Sequence, residues 1–493
     1  MRRISVPPAS TGSAVVRTIG IIGGGFTGAL LALHLLRRCD DQDRIFLIEK
    51  AGRFGAGLAY STGNAHHLLN VRAGNMSAFS AEPDHFVDWL RRLPDQIPPN
   101  PKGAMIDDDP PGPSSFVPRG VFGAYVQQSL AKAIWRGQRG DRLTIVNDEA
   151  VGVERKPEGL ALQLAVGRRL IVDTAVLAVG NFPPARNAGP IFGDPWDERA
   201  LNGLDPDAPV LILGTGLTMV DTVISLLDQG HTGPIQAISR RGLLPRQHVG
   251  AIPDETGEIR LPKPWEFDPK PSGRSLVQLT QVVRRTIDRA ERGGRGWRGV
   301  IDGLRPHTQR LWREMSTVER KRFLRHLRPW WDVHRHRAAP QVMARLTEAR
   351  ERGQLQIVAG KIIATAAGAE DVSVEVKLRG GDAAVAYRGA RLIDCSGLNS
   401  DCTKVDQPLL KQLLETGLMT PDPLRLGIDV SDHGALIDRD DRPAADLFAL
   451  GPITKGAFWE IIAVPDLRIA CEAMAERLLP QAAEARRYGA RQA

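Results

Sequence analysis

Three glycines that react with nothing open the chain's clearest chemical signal. Gly23, Gly25 and Gly28 form a GxGxxG spacing between the apolar run 18–22 and a helical pattern starting at Phe26. The first glycine permits a tight turn, the second lets backbone approach a pyrophosphate, and the third lets helix pack on strand. Free amides and the positive dipole end of that helix, where Thr27 lies, then face the phosphates. The next apolar run, 44–48, ends at Glu49, 21 residues after Gly28 and followed by Lys50. A carboxylate there can accept from ribose hydroxyls, so strand, turn, helix and acid together predict a dinucleotide site.

A second copy begins at Pro209-Val-Leu-Ile-Leu-Gly-Thr-Gly-Leu-Thr-Met-Val-Asp. Gly214 and Gly216 repeat the turn, Thr218 lies in the first helical turn, and Met219 replaces the third glycine. The run 235–239 ends in Arg240-Arg241 rather than an acid. Guanidinium groups cannot accept from a ribose hydroxyl but can hold a 2′-phosphate, which points to NADPH. The alternative is a solvated pair on a surface turn.

The elements that must position these residues repeat as well. Leu143-Thr-Ile-Val opens a set of short strands closing at Thr174-Ala-Val-Leu-Ala-Val-Gly180, and Leu355-Gln-Ile-Val opens another closing at Arg391-Leu-Ile-Asp-Cys-Ser-Gly397. Each unit reads as a βαβ core, a β-meander and a final apolar strand ending on glycine. Two units predict two nucleotides. The fold class is α/β: two Rossmann-like dinucleotide-binding domains, for FAD and NADPH, each with a β-meander, plus a helical insert. We expect residues 1–200 and 401–493 in the FAD-binding domain, 205–265 and 346–400 in the NADPH-binding domain, and 266–345 in the insert. Asp446-Leu-Phe-Ala-Leu-Gly-Pro-Ile-Thr-Lys-Gly-Ala-Phe-Trp-Glu reads as strand, glycine turn at Gly451, then a helix running to about Leu479. The turn can set a helix N-terminus against a reduced flavin. Pro452 stands where an acid usually follows that glycine.

Composition narrows the class. A chain of 493 residues has room for two to four domains. The four cysteines form no CxxC, which excludes a disulfide-stapled scaffold, a zinc knuckle and a redox-active pair. The net charge of +8 hides a local excess: between Arg284 and Arg352 stand 19 Lys and Arg against eight acids. The apolar run 19–36 contains five glycines and leads into Asp40-Asp-Gln-Asp, so it reads as strand and helix, not as a membrane span. Arg2-Arg3 starts no export signal, and a cytoplasmic protein with a loose tail over 1–16 is expected.

The insert ends in Arg328-Pro-Trp-Trp-Asp-Val-His-Arg-His-Arg. Arg328, Trp331, His334, Arg335 and Arg337 could line the substrate site, the guanidinium forks clamping a carboxylate. The plainer alternative is a solvated helical face anchored by Trp330 and Trp331. Nucleic-acid binding is disfavoured because acids interrupt the segment and no binding motif is present. His334 and His336 project apart on a helix, so no metal site is expected.

Several of these pieces, with Gly57-Leu-Ala-Tyr-Ser-Thr, His67-Leu-Leu-Asn-Val, Asn75-Met-Ser-Ala-Phe, Ser239-Arg-Arg-Gly-Leu-Leu-Pro-Arg and Gly451-Pro-Ile-Thr-Lys-Gly-Ala-Phe-Trp-Glu, span residues 19–468. On them the chain resembles the YdhS-like FAD/NAD(P)-binding oxidoreductases, relatives of the N-hydroxylating flavin monooxygenases. Leu177-Ala-Val-Gly-Asn-Phe-Pro-Pro resembles the ATGxxP signature of the latter, with Val179 in place of Thr. The resemblance implies bound FAD contacted by Asn70, Met76, Gly180 and Gly451, with Asn75 and Lys455 as candidate catalytic side chains. It implies reduction by NADPH, reaction with O₂ to a C4a-(hydro)peroxyflavin, and oxygen transfer to an amine or amino-acid nitrogen, the substrate being a small carboxylate-bearing amine. An NADPH:acceptor reductase or oxidase, or a redox-sensing FAD protein, would use the same fold. No membrane or nucleic-acid partner is implied, and the oligomeric state is not fixed.

Overall fold

Long apolar runs that end on glycine become buried parallel strands, and the polar, helix-periodic stretches between them become crossover helices. In the computed structural model these elements assemble into two sheets of matching order. The structure describes residues 17–93, 111–135, 142–182, 192–197, 199–249, 252–253, 259–260, 264–265 and 275–480. The tail 1–16, Pro183, Pro184 and residues 266–274 of the insert lie outside them.

The first sheet runs, edge to edge, Ala435–Ile437, Pro443–Ala449, Thr174–Leu177, Thr18–Ile22, Arg44–Ile48 and Leu143–Val146. All neighbours are parallel except the edge pair Ala435–Ile437 with Pro443–Ala449. The second runs Ala384–Gly389, Val372–Leu378, Leu355–Ala367, Ile235–Ser239, Val210–Leu213, Arg391–Asp394 and Phe192–Gly193. In both, the glycine-turn strand lies between the closing strand on one side and the second strand of its βαβ unit on the other. The repeat read from sequence is therefore a repeat of topology. The meanders differ: in the first unit Ala150–Lys156, Gly159–Leu164 and Arg169–Val172 form a separate sheet. In the second, the 13-residue strand Leu355–Ala367 carries its meander on the main sheet.

The first core joins the helix Phe26–Arg38, buried over 11 of its residues, to the helices Arg119–Trp135 and Val464–Leu478. The second packs the helices Leu217–Asp228 and Pro340–Glu351 on the sheet. The insert folds as a run of helices, Leu276–Arg292, Gly296–Leu304, Thr308–Glu314, Thr317–Arg322 and Arg328–Arg335, the last preceded by a π-helical turn Phe323–Leu327. No helix among the described residues is long and apolar enough to cross a membrane.

Polar contacts fasten the two sheets' domains together. From the segment 64–67, Asn64 Nδ2 donates to Asp228 at 2.8 Å, and His66 lies 3.0 Å from the same carboxylate. His67 Nε2 meets Ser225 Oγ at 2.9 Å, and Arg119 pairs with Asp221 at 2.6 Å. The pair His66-His67 belongs to this contact.

Candidate functional site

Both nucleotide cradles rest on one steric device. Gly23 has φ +106°, and a Cβ there would stand 2.4 Å from the Ala178 carbonyl oxygen; Gly214 has φ +99°, and its Cβ would stand 2.4 Å from the Cys395 carbonyl oxygen. Only glycine tolerates that conformation and approach. A Cβ on Gly28 would lie 1.8 Å from the Gly23 carbonyl oxygen, which is the close helix–strand packing its position requires. Gly25 caps the helix Phe26–Arg38 with no side-chain bond, and its Cβ would meet only the Gly57 Cα, at 3.4 Å; at Gly216 the space is open. Neither helix carries an acid in its first turn, so amides and dipole ends stay uncompensated. These cradles fit a dinucleotide pyrophosphate.

Glu49 does more than wait for a ribose. Its carboxylate accepts from the Gly24 amide at 2.8 Å and the Ala51 amide at 2.9 Å, tying the glycine turn to the end of the second strand. Lys50 pairs with Glu149 at 2.9 Å on the surface. Thr27 is buried behind Gly451, where a Cβ would approach Thr27 Oγ1 to 2.9 Å; Gly451 has φ +89° and Gly180 φ +75°, the latter beside open space. Met76 is buried and Asn75 exposed at the end of a short 3₁₀ turn, while the Asn70 carbonyl accepts from His248 Nε2 at 3.0 Å. At the second cradle Met219 is fully buried where Gly28 stands in the first. Thr218 sits in the first turn, its carbonyl accepting from Thr222. Ser239 Oγ accepts from the Gly242 amide at 3.0 Å and shapes the turn bearing Arg240 and Arg241. Among the described residues neither arginine has an acidic partner.

The arginine-rich decapeptide is committed differently. Arg335 lies 3.3 Å from Glu460, and Arg337 pairs with Asp302; both arginines are buried. The carboxylates beside them are the protein's own, whereas the sequence reading set these guanidinium groups against a substrate carboxylate. Arg328 pairs with Asp332 at 3.3 Å, one turn along its helix, and stays half-exposed. Trp331 Nε1 donates to Glu460 at 2.8 Å, and His334 Nδ1 meets the Trp330 carbonyl at 2.7 Å. Glu460 thus gathers Trp331, Arg335 and, at 3.7 Å, His336. Burial alone would raise its pKa, but His336, Arg335 and the Trp331 N–H together hold it below the ordinary carboxylate range.

Glu460 belongs to the segment after Gly451, where sequence predicted a continuous helix. The structure has a 3₁₀ turn Pro452–Thr454, then turns, with the helix starting only at Val464. Glu460 at φ +73° breaks any earlier helix, and Pro465 suits the first turn of the later one. Lys455 therefore sits in this loop, not at a helix start. Its Nζ lies 4.7 Å from the Trp459 ring centre with no carboxylate ion pair among the described residues, and burial, then the nearby Arg328, lowers its pKa. Trp459 in turn stacks on Trp312 of the insert at 4.6 Å. Sequence gave no role to Glu460, Asp302, Trp312 or Trp459; density of Trp and Arg was the only signal available for them. The described residues contain no cluster of metal ligands, and the four cysteines are buried and form no disulfide.

Residues 20–182 match the FAD–NAD(P)-binding family, so the first cradle lies in an FAD/NAD(P)-binding domain. No curated protein sequence matches the chain. Solved structures with the same fold include the reduced ornithine hydroxylase of Pseudomonas aeruginosa, 14% identical, covering 94% of this chain and 99% of that one with a TM-score of 0.61. The ornithine N-hydroxylase of Kutzneria sp. 744 is 13% identical over 95% and 99%, TM-score 0.62. The cadaverine monooxygenase of the desferrioxamine pathway of Erwinia amylovora is 12% identical over 94% and 95%, TM-score 0.61. Fold and cradles thus define a two-dinucleotide α/β architecture that binds FAD and NAD(P), shared with N-hydroxylating flavin monooxygenases.

Proposed function

We propose that the protein is an FAD-dependent, NADPH-using monooxygenase that oxygenates the nitrogen of an amine or amino acid, and that it belongs with the YdhS-like oxidoreductases its motifs resemble. The observation that carries this function is the pair of matched cradles, in a fold that ornithine and cadaverine hydroxylases share over 94–95% of the chain. FAD at the first cradle and NADPH at the second would supply hydride transfer and activation of O₂. We assign 1–200 and 401–493 to the FAD domain, 205–265 and 346–400 to the NADPH domain, and 266–345 to the insert, with two changes: Phe192–Gly193 pairs on the second sheet and the helix Pro340–Glu351 packs on it, so both go with the NADPH domain.

The chain's own residues bind, orient and supply charge. Gly23, Gly25 and Gly28 bring backbone amides to one pyrophosphate, Gly214 and Gly216 to the other. Glu49, fixed by two amides, keeps lone pairs for a ribose. Arg240 and Arg241, without an acidic partner among the described residues, would receive the 2′-phosphate. Met76, buried, and Asn75, with an exposed amide, would line the flavin side. Lys455, part-buried and unpaired, offers a positive charge whose lowered pKa suits it to hold or release a proton beside the substrate.

The test reduces the purified protein anaerobically with NADPH, then mixes it with aerated buffer and a panel of amines and amino acids. Hydroxylamine formed in step with NADPH consumed is the expected result. Stoichiometric H₂O₂ with every amine would replace the proposal with an oxidase or acceptor reductase.

A further inference from the structure

The helical insert encloses a cavity of about 570 Å³, within the range of small-molecule sites. One wall is the helix Leu276–Arg292, held at its start by the Ser275–Gln278 capping box and by the Leu276 amide donating to Glu319 at 2.9 Å. Leu276, Leu279, Val283 and Ile287 form its apolar stripe, yet Ala290 is the helix's one fully buried residue. The stripe faces the cavity in place of a protein partner. The remaining walls include Trp297, Trp312, Trp330, Trp331 and Trp459, five of the chain's nine tryptophans.

The polar lining decides what fits. Thr280 and Thr308 spend their hydroxyl hydrogens on the Leu276 and Arg305 carbonyls, at 2.7 and 2.8 Å. His334 has Nδ1 engaged, and Arg284 and Glu291 line the cavity from the face they share with Thr280 and Ile287, at solvent-exposed positions. The interior therefore offers aromatic and aliphatic surface, with charge confined to the rim. Trp459 joins this cavity to the candidate flavin-side loop: it stands eight residues after Gly451, and Trp312 Nε1 fixes the same loop by donating to the Gly456 carbonyl at 2.7 Å.

We propose that this cavity takes the apolar body of the substrate, so that the amine oxidised is carried on an alkyl or aromatic body instead of a short polar chain. The amine end of this statement rests on the function proposed above; the cavity as a binding site does not. The unpaired Lys455 beside Trp459 then lies toward the amine end of the bound molecule.

The experiment titrates the flavin-loaded enzyme with n-alkylamines from butylamine to decylamine and with tryptamine, following tryptophan fluorescence. In parallel it measures NADPH-dependent hydroxylamine formation on the same compounds and on ornithine. Binding should tighten about fourfold per methylene and weaken at least tenfold in Val283→Phe, which fills the cavity from a half-exposed helix position. Leu279→Phe provides a second filling variant, each checked for retained flavin, and the chain-length series needs neither. Length-dependent binding with hydroxylamine product supports the whole proposal. Length-dependent binding without product leaves the cavity standing and overturns the monooxygenase function. Absence of length dependence overturns the cavity proposal, and hydroxylamine made from ornithine in that case leaves the monooxygenase function intact.

Discussion

Gly25 and the pair Arg240–Arg241 are the residues where function can be removed with least disturbance to the fold. A Cβ added at Gly25 meets no protein atom closer than the Gly57 Cα at 3.4 Å, so a side chain there enters ligand space without displacing backbone at its first carbon. Gly25→Val is expected to fold yet purify without FAD, and a yellow, fully loaded variant would remove the first-cradle assignment. Arg240→Ala with Arg241→Ala deletes two charged donors to a phosphate, each worth roughly 1.5–3 kcal/mol. The KM for NADPH should rise tenfold or more while that for NADH stays; equal KM values before and after would assign the pair to a solvated turn. These residues were legible because each motif is local, its parts held within one strand–turn–helix. Glu460 was not legible. Its partners Trp331 and Arg335 lie more than 120 residues away, and no local pattern records such a meeting.

At the scale of elements, these strands were read with their ends in place, since 44–48 and 235–239 are short, mostly apolar runs each followed directly by a charged residue. The segment 455–463 was misread as helix because its apolar content suits one, while the contacts that unwind it come from the insert. Those contacts yield a prediction. Arg335 joins the helix Arg328–Arg335 to the Gly451–Glu460 loop, and removing it leaves the Glu460 carboxylate buried and short of its nearest cation. Arg335→Ala should cost about 3 kcal/mol of stability, read in chemical unfolding. Loss of substrate affinity at unchanged stability would instead restore the arginine to the substrate site. The insert itself was legible as helical from its spacing, but its cavity was not, because the stripe on Leu276–Arg292 looks the same whether it meets protein or open space.

At the scale of the whole molecule, buried imidazoles set an acid limit. Burial holds His34 down to about 4 and His248 down to about 3, the latter aided by Arg337. Both are neutral in the folded chain where the unfolded chain, with ordinary histidines near 6.5, binds protons. Their stabilising effect is complete above pH 6.5 and falls as pH drops toward 4 and 3, by about 1.4 kcal/mol per pH unit for each. Thermal midpoints should decline steadily from pH 6.5 to 5, and a flat profile would contradict the burial of both rings. The two-sheet architecture was readable because duplication repeats a pattern; the fastening between the halves was not, since it depends on single side chains such as Asn64 and Arg119. That fastening carries a consequence for motion. The helix Leu217–Asp228 points its start at the second cradle, and beyond its first turn it is gripped by Asn64, His66, His67 and Arg119, at Asp221, Ser225 and Asp228. A swinging domain would have to shed all four contacts at once. The angle between the halves is thus a fixed property of the frame, and solution scattering should give one radius of gyration with or without NADP⁺, the nucleotide travelling past a stationary scaffold.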